Sequence, residues 1–269
     1  MALLNNVTIG TYIPGNSLVH RINPLAKIIS MIIILIGIFI ITDVRVYLVC
    51  LVLVAILVKM ANMSFFKLLK RLRILLFMTF FLFFVNAFVI QTGPELFRIG
   101  FFSLHLDALN QTVMILLRLV LMVMISSLLT MTTKPLDLTL GLEQMFSPLK
   151  RFGFPAHELA MMISIALRFI PVLVEETNKI MIAQTSRGVD FNSSKFKEKI
   201  TAIISLLIPL FTSAIKRAED LADAMEARGY SPDGKRTRFN TYTWAKLDTV
   251  VLVFSVLFTG TIIWYSFIR

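Results

Sequence analysis

Long apolar runs separated by short clusters of charged residues make up most of this chain. Five of these runs carry at most one charged residue each, and they occupy residues 25–42, 46–58, 74–94, 111–131 and 249–268. Because a membrane-spanning helix needs about 20 consecutive, mostly apolar residues, the pattern predicts an all-α membrane protein with about five transmembrane helices.

The block between the fourth and fifth runs, residues 133–245, follows a different pattern. Segments 155–185 and 195–228 each begin apolar and become amphipathic toward their ends, which predicts long helices. Each contains one proline, Pro171 or Pro209, which lacks a backbone N–H and is expected to kink its helix. The block is predicted to be a cytoplasmic-side domain of three long helices inserted before the last span.

Two parts of this block are apolar enough to suggest further spans, residues 158–174 and 200–215. The first contains Arg168, and a charge centred in lipid costs about 2.5–3.5 kcal/mol on insertion scales. The second is short and lies between Lys199 and Lys216. We therefore favour helices that lie along the membrane–cytosol boundary, with a seven-span arrangement as the alternative.

The composition excludes most classes of soluble protein. Hydrophobic residues form 57% of the chain and charged residues 16%, against about 45–50% and about 25% in soluble domains. A compact soluble domain could not bury this much apolar surface. The single cysteine, Cys50, also excludes an intramolecular disulfide.

The net charge of +11 fits either nucleic-acid binding or the excess of Lys and Arg on the cytoplasmic side of membrane proteins. The second interpretation requires charges sorted by side, and the 59–73 link has five basic residues and no acid, whereas the 91–110 link is nearly neutral. This sorting predicts that the N-terminus and the inserted block are cytoplasmic and that the C-terminus lies outside. The predicted parts of the chain are 1–132, 133–246 and 247–269.

The two long helices are predicted to end in the same way. AQTSRG at 183–188 and AMEARG at 224–229 share the pattern Ala-x-x-small-Arg-Gly, with arginines 41 residues apart. A glycine just past a helix end adopts the left-handed conformation that stops the helix, and a nearby cation suits the helix dipole. One copy would be an ordinary helix terminus, but two copies indicate an internal duplication. Because a guanidinium donates from a planar fork, the pair suits acidic or carbonyl-lined grooves. The candidate binding residues are Ser186, Arg187, Gly188, Ala227, Arg228 and Gly229.

Three stretches of the chain carry a resemblance to a known family. They are PGNSLVHRINPLAK at 14–27, LRFIP at 167–171 leading to the first Arg-Gly copy, and residues 222–230 ending in ARGY. Together they resemble the transmembrane (T) components of energy-coupling factor vitamin transporters, a branch of the ATP-binding-cassette importers. The resemblance covers nearly the whole chain, with Ser186 standing where many members have alanine.

The resemblance implies a non-catalytic coupling subunit in the bacterial cell membrane. In that family each Arg-Gly motif ends a coupling helix and docks into a groove of one ATPase subunit, EcfA or EcfA′. The rest of the coupling domain contacts a small membrane-embedded S component that binds the vitamin. Membrane lipid is the remaining partner, and nucleic acid is not expected. ATP is expected to bind to the ATPase subunits, so this chain needs no cofactor of its own.

Other residues offer weaker signs of chemistry. Residues 229–235 match the first seven positions of a phosphate-binding P-loop, but Arg236 stands where a magnesium-binding Ser or Thr is required. The three histidines have no metal-ligand spacing, so no metal site is expected. They are His20, His105 and His157.

Arg118 is the one charge near the middle of a predicted span. We expect it to pair with backbone carbonyls or with an acid such as Asp107 or Asp137, the alternative being a contact with lipid or a partner. A secondary transporter would need more polar groups at this depth, and a membrane-embedded enzyme would need clustered acids, His or Ser at a membrane surface. The sequence offers only Arg118 for the first class and no such cluster for the second.

We predict that the whole 133–245 block lies on the cytoplasmic side. Single cysteines at Asn192 and Gly234, in a Cys50→Ser background, should react with a membrane-impermeant maleimide only from the inner face. A cysteine at Thr92, in the 91–110 link, should react only from outside and is the control. Labelling of both block positions from outside would contradict the five-span arrangement, and labelling of Asn192 on the side opposite its flanking segments would support seven spans.

Overall fold

The computed structural model describes residues 12–63, 65–90, 92–99, 102–191, 193, 195–231 and 242–268. This part of the chain is helical apart from one short antiparallel hairpin, so the predicted all-α membrane class is confirmed. The helices are α1 (Leu18–Arg21), α2 (Pro24–Ile40), α3 (Val44–Met60), α4 (Phe65–Val89), α5 (Leu106–Thr132), α6 (Pro135–Phe146), a 3₁₀-helix (Ser147–Phe152), α7 (Ala156–Ser186), α8 (Phe196–Ala227) and α9 (Lys246–Ile268). The hairpin strands are β1 (Glu95–Ile99) and β2 (Phe102–His105).

The five predicted spans coincide with helices α2, α3, α4, α5 and α9. By length and composition α5 and α9 can each cross a bilayer, whereas α2 is a shorter apolar helix of 17 residues. Helices α7 and α8, with 31 and 32 residues, also meet the length and composition needed to cross. Length and apolar content therefore do not separate five spans from seven, and the five-span assignment stays a prediction.

The described residues form two compact units. Those within Gly10–Ala160 and Thr243–Arg269 form the first unit, and those within Met161–Tyr242 form the second. In the first unit α6 packs against α2, where a Cβ on Gly141 would lie 3.0 Å from the carbonyl carbon of Pro24. Because glycine permits this close approach, α6 packs directly against α2. The division of the chain into 1–132, 133–246 and 247–269 stays a prediction. The inserted block has two long helices and the 12-residue α6 instead of three long ones.

The core of the first unit is formed by α2, α3, α5 and α9. Helices α2 and α9 approach closely at Gly37, where a Cβ would lie 2.9 Å from Cγ2 of Thr259. Because Gly37 has no side chain, the last helix can pack directly against the first span. The buried side chains of this core are Ile38, Ile41, Tyr47, Cys50, Val54, Val58, Leu121, Met124, Ile125, Met131 and Ile262.

A buried carboxylate, Asp248, connects the start of α9 to the start of α2. Only 1% of Asp248 is exposed. Its Oδ1 accepts from the backbone N–H of Asn23 at 2.8 Å, and its Oδ2 accepts from the backbone N–H of Ala245 at 2.8 Å. Because Ala245 directly precedes α9, the second bond is the acidic half of a capping box, and a carboxylate there also suits the helix dipole.

Lys27 connects α2 to the end of α5 in the same region. Its buried Nζ donates to the backbone oxygen of Thr132 at 3.1 Å, to Oγ1 of Thr133 at 3.0 Å and to the backbone oxygen of His20 at 3.4 Å. An ammonium has three donors, and each has an acceptor here. The 14–27 stretch that carries the family resemblance therefore joins the ends of three helices.

The 91–110 link contains structure that the hydropathy pattern did not predict. Strands β1 and β2 pair antiparallel, with Glu95 opposite His105 and Ile99 opposite Phe102. Helix α5 begins directly after the hairpin at Leu106 rather than at 111, and the Leu106 N–H donates to the carbonyl of Pro94 at 3.1 Å. The hairpin therefore sets where α5 begins.

We predict that loss of the Asp248 carboxylate destabilises the first unit. Asp248→Ala leaves two backbone N–H groups in a buried site without acceptors, which costs about 1–3 kcal/mol for each group. Asp248→Asn keeps one acceptor oxygen and should cost less. The measurement is thermal unfolding of the purified protein in detergent. Asp223→Ala, at an exposed position of α8, is the control. Equal Tm values for Asp248→Ala and the parent would contradict this role.

Candidate functional site

The candidate binding residues lie at the C-terminal ends of the two long helices. Helix α7 ends at Ser186 and α8 at Ala227, as the sequence pattern predicted. At the first end the Gly188 N–H donates to the Thr185 carbonyl at 3.0 Å, and the Val189 N–H donates to the Gln184 carbonyl at 3.0 Å. These two bonds form a Schellman motif, which satisfies carbonyls that a helix end would otherwise leave without donors.

The second helix end repeats the first bond for bond. The Gly229 N–H donates to the Glu226 carbonyl at 2.8 Å, and the Tyr230 N–H donates to the Met225 carbonyl at 3.0 Å. Each of these atoms is 41 residues from its equivalent at the first end. The two copies therefore share one local structure as well as one sequence pattern.

The glycine in each motif is required by its backbone conformation. Gly188 has a φ of +89° and Gly229 a φ of +74°, both in the left-handed region. A Cβ at either position would meet no described atom within 4 Å, so space does not select glycine here. The selection is conformational, because other L-residues pay a cost of about 1–2 kcal/mol for this conformation.

Both arginines project from these ends as exposed side chains. Within the described part of the chain, neither Arg187 nor Arg228 makes a side-chain hydrogen bond or an ion pair. The small residues before them are also exposed, and the Ser186 hydroxyl donates to the Ile182 carbonyl of its own helix at 3.1 Å. Ser186 therefore presents a small, exposed surface, as Ala227 does. Serine at this position is thus a small change from the alanine that many family members have.

Polar side chains join α7 to α8 at two places within the second unit, Glu176 and Gln184, and at the first of them the Ser213 hydroxyl also bonds to Glu176. The Arg217 guanidinium donates to the Glu176 carboxylate in an ion pair, and Nε2 of Gln184 donates to the Ser205 carbonyl at 3.0 Å. Glu176 precedes Gln184 along α7, whereas Arg217 follows Ser205 along α8, so the two helices pass each other antiparallel. Glu176 and Arg217 are themselves 41 residues apart, so the ion pair links equivalent positions of the two copies.

Both prolines lie inside their helices, which continue through them. Pro171 is exposed in α7, and Pro209 is half-buried in α8. Since residue i of an α-helix donates to residue i−4, the carbonyls of Leu167 and Ser205 lose their usual donors. The positions of the prolines are as predicted, while the bend at each stays a prediction.

Arg118 is held by polar groups of neighbouring elements, as one of the two sequence interpretations expected. Its Nε donates to the Tyr47 hydroxyl at 2.9 Å, and its Nη2 donates to the Ile41 carbonyl at 3.2 Å. The Tyr47 hydroxyl in turn donates to the Ile41 carbonyl at 3.1 Å. The guanidinium also lies 5.9 Å from the centroid of the Phe39 ring. The pairing with a carbonyl is confirmed, and a tyrosine hydroxyl takes the place of the expected acid.

The histidines serve separate local contacts. Nδ1 of His20 is hydrogen-bonded to the Ser17 hydroxyl at 2.7 Å. Nδ1 of His157 lies 2.8 Å from the Glu143 carboxylate. Among the described residues, no three His, Cys, Asp or Glu side chains lie where they could share a metal ion. Residues 232–235 of the P-loop-like stretch lie outside the described residues. The two proposed labelling positions, Asn192 and Gly234, also lie outside them.

Sequence reasoning missed the contacts between α7 and α8. The 41-residue offset could have found the ion pair, because it places the acid Glu176 and the base Arg217 at equivalent positions. The contact of Gln184 has a weaker signal. Pro209 marks the Ser205 carbonyl as needing a donor, but nothing local to the sequence says which residue supplies it.

These observations define an all-α, multi-pass membrane protein that presents two matched, arginine-bearing helix ends. A family model described as "Cobalt transport protein" (CbiQ) matches residues 15–239, which is most of the chain. The chain therefore belongs to the CbiQ family.

Several curated relatives of this chain carry the name "Energy-coupling factor transporter transmembrane protein EcfT". The relative from Bacillus subtilis is 42% identical over 93% of this chain and 95% of its own length. The relative from Ruminiclostridium cellulolyticum is 41% identical over 99% of both chains, and that from Streptococcus equi is 40% identical over 94% of both. The chain thus belongs among the transmembrane components of energy-coupling factor transporters, as the motifs indicated.

We predict that each helix end tolerates only residues that accept the left-handed conformation. Gly188→Asn and Gly229→Asn should retain the cap, because asparagine adopts this conformation most readily after glycine, whereas valine at either position should unravel the last turn. Hydrogen–deuterium exchange of the amides at 183–190 and 224–231 measures this directly. Gly260→Ala, in the middle of α9 with open space around it, is the control. Full protection in the valine variants would contradict the prediction.

Proposed function

We propose that this chain is the coupling subunit of an energy-coupling factor importer of vitamins or related micronutrients. In this proposal it passes conformational changes from two ATPase subunits to a small membrane protein that binds the substrate. The observation that carries the proposal is the pair of identical Schellman ends, each presenting an exposed arginine. Two matched contact points on one chain suit two related partner subunits.

The chemistry of each end suits docking into a groove of another protein. The Schellman bonds use the N–H groups of residues 188, 189, 229 and 230, so the backbone is fixed before a partner arrives. Because Arg187 and Arg228 make no side-chain bond to a described residue, their guanidinium donors are available to a partner. A planar guanidinium can donate two parallel bonds to a carboxylate or to paired carbonyls, which gives both energy and orientation.

The proposal assigns ATP hydrolysis and vitamin binding to other subunits, EcfA-type ATPases and an S component. This chain is then a non-catalytic scaffold in a bacterial cell membrane, with its N-terminus and its second unit on the cytoplasmic side. The positive charge of the 59–73 link supports that orientation. The lack of a Ser or Thr after Lys235 supports the assignment of ATP binding to partners.

We predict that Arg187→Ala or Arg228→Ala alone impairs transport while leaving much of the complex assembled. Removing one partner from a buried charge-assisted contact costs about 2–5 kcal/mol, but the second end still binds. The double alanine variant should lose the ATPases or fail to transport. Lysine at either position should rescue poorly, because a point charge cannot reproduce the fork. The measurements are pull-down of ATPase subunits with the tagged chain and ATP-driven uptake into proteoliposomes from a panel of radiolabelled B vitamins.

Lys179→Ala and Lys216→Ala are matched controls, because each removes an exposed cation from α7 or α8 away from the helix ends. Both should assemble and transport like the parent. The purified chain alone, tested in parallel, should bind no nucleotide, and binding abolished by Lys235→Ala would overturn that part of the proposal. A double alanine variant that assembles and transports normally would show that the two motifs are only helix stops.

A further inference from the structure

The carbonyl of Ser205 has an unusual donor. In an α-helix the N–H of residue 209 would donate to this oxygen, but residue 209 is a proline and has no N–H. The side-chain amide of Gln184, from α7, donates to the Ser205 carbonyl at 3.0 Å. Because a carbonyl can only accept, the amide must present its NH₂ group here. Gln184 therefore replaces, from a neighbouring helix, the bond that Pro209 removes.

Gln184 also belongs to the first helix end. Its backbone carbonyl accepts the Schellman bond from the Val189 N–H, and Arg187 follows three residues later. One residue thus contributes its backbone to the cap beside Arg187 and its side chain to the proline site of α8. A displacement of the Arg187 end moves the Gln184 amide. The hydrogen bond to the Ser205 carbonyl must then either break or pull α8 along.

The second helix end has no equivalent of the Gln184 side-chain amide. The residue equivalent to Gln184 at the second helix end is Met225, whose thioether has no N–H or O–H to donate. Within the described residues, no side chain donates to the Leu167 carbonyl that Pro171 deprives of its donor. The two helix ends are therefore alike in their caps and different in how they connect to the neighbouring helix.

The other place of contact is the Glu176 carboxylate, which accepts from Arg217 in an ion pair and from the Ser213 hydroxyl, and the two places differ in kind. The Glu176 and Arg217 side chains are 25% and 40% exposed, so water and salt weaken their attraction. The amide–carbonyl bond is neutral and is not screened by salt. With the ion pair alone the helices could pivot about one point, whereas two contacts fix the direction in which they cross.

We propose that Gln184 is a positioning residue for coupling, which connects movement of the Arg187 end to the proline site of α8. The proposal rests on the proposed function, because coupling has meaning only if the Arg187 end meets an ATPase. Gln184 itself contacts neither nucleotide nor substrate in this account. It sets how far a movement of one helix end is passed to the other long helix.

The experiment uses the complete complex in proteoliposomes and the radiolabelled B vitamin that the parent complex takes up best. Gln184→Leu removes the donor while keeping similar bulk. It should lower vitamin transported per ATP hydrolysed by roughly 2- to 10-fold, the range expected when one hydrogen bond of ordinary net strength is lost. ATPase pull-down should stay at the parent value, and Tm should fall by only a few °C, because a single hydrogen bond is lost. Thr177→Val, which removes a half-buried hydroxyl bonded within α7 itself, is the matched control and should not change the ratio.

Pro209→Ala provides the decisive second variant, because alanine restores a backbone N–H to the Ser205 carbonyl. In that background Gln184→Leu should cause no further loss of transport per ATP, so the two changes should be strongly non-additive. Spin labels at the exposed positions Lys179 and Lys216 should show a broader distance distribution in Gln184→Leu than in the parent. A role limited to stability would lower Tm and leave the ratio unchanged.

Two outcomes would overturn the inference. The first is an unchanged ratio in Gln184→Leu, whether or not its Tm falls, and the second is a loss of equal size in the parent and Pro209→Ala backgrounds. Arg187→Ala/Arg228→Ala, measured in the same series, separates this inference from the proposed function. If that double variant loses the ATPases while Gln184→Leu is silent, only the inference fails; if both are silent, both fail.

Discussion

A polar group that its own helix cannot satisfy needs a partner from elsewhere, and this constraint accounts for most of the structure. In hydrocarbon an unsatisfied backbone group costs several kcal/mol, so the apolar runs must be helices. Two charged side chains among these helices are paired as the constraint requires. Arg118 has the Tyr47 hydroxyl and the Ile41 carbonyl, and the Asp248 carboxylate has two backbone N–H groups.

The same constraint shapes the two long helices of the second unit. Each ends where a glycine in the left-handed conformation lets the next N–H groups turn back to the last carbonyls. Each also contains a proline that removes one bond from the ladder. At Pro209 the missing donor comes from α7, so an interruption within one helix becomes a contact between two.

The internal duplication gives the two helix ends the same local form without making their surroundings the same. The 41-residue offset relates both caps and both residues of the Glu176–Arg217 ion pair. A contact between equivalent positions places the crossing of the two helices near a local two-fold relation. The amide of Gln184 departs from that relation, since Met225 has no such donor. The proposed docking of two related ATPase subunits would therefore meet matched helix ends with unequal connections to the rest of the second unit.

The sequence by itself determined the helices and the two helix ends, because both depend on local properties. Runs of apolar residues set the helices, and an Arg-Gly pair after an amphipathic stretch stopped α7 and α8 where the pattern placed them. The hairpin after Pro94 and the start of α5 at Leu106 were missed, because a hydropathy pattern that finds spans does not register short strands. The family motifs were likewise readable as short stretches of sequence.

Only the tertiary structure decided which polar groups meet and which distant helices pack together. Arg118 and Tyr47 are 71 residues apart, and Asn23 and Asp248 are 225 apart, so no local pattern encodes either contact. The packing of α6 on α2 likewise joins Gly141 to Pro24, which are more than 100 residues apart. These features depend on how distant elements pack, since a hydrogen bond forms only when packing brings its donor within about 3 Å of its acceptor.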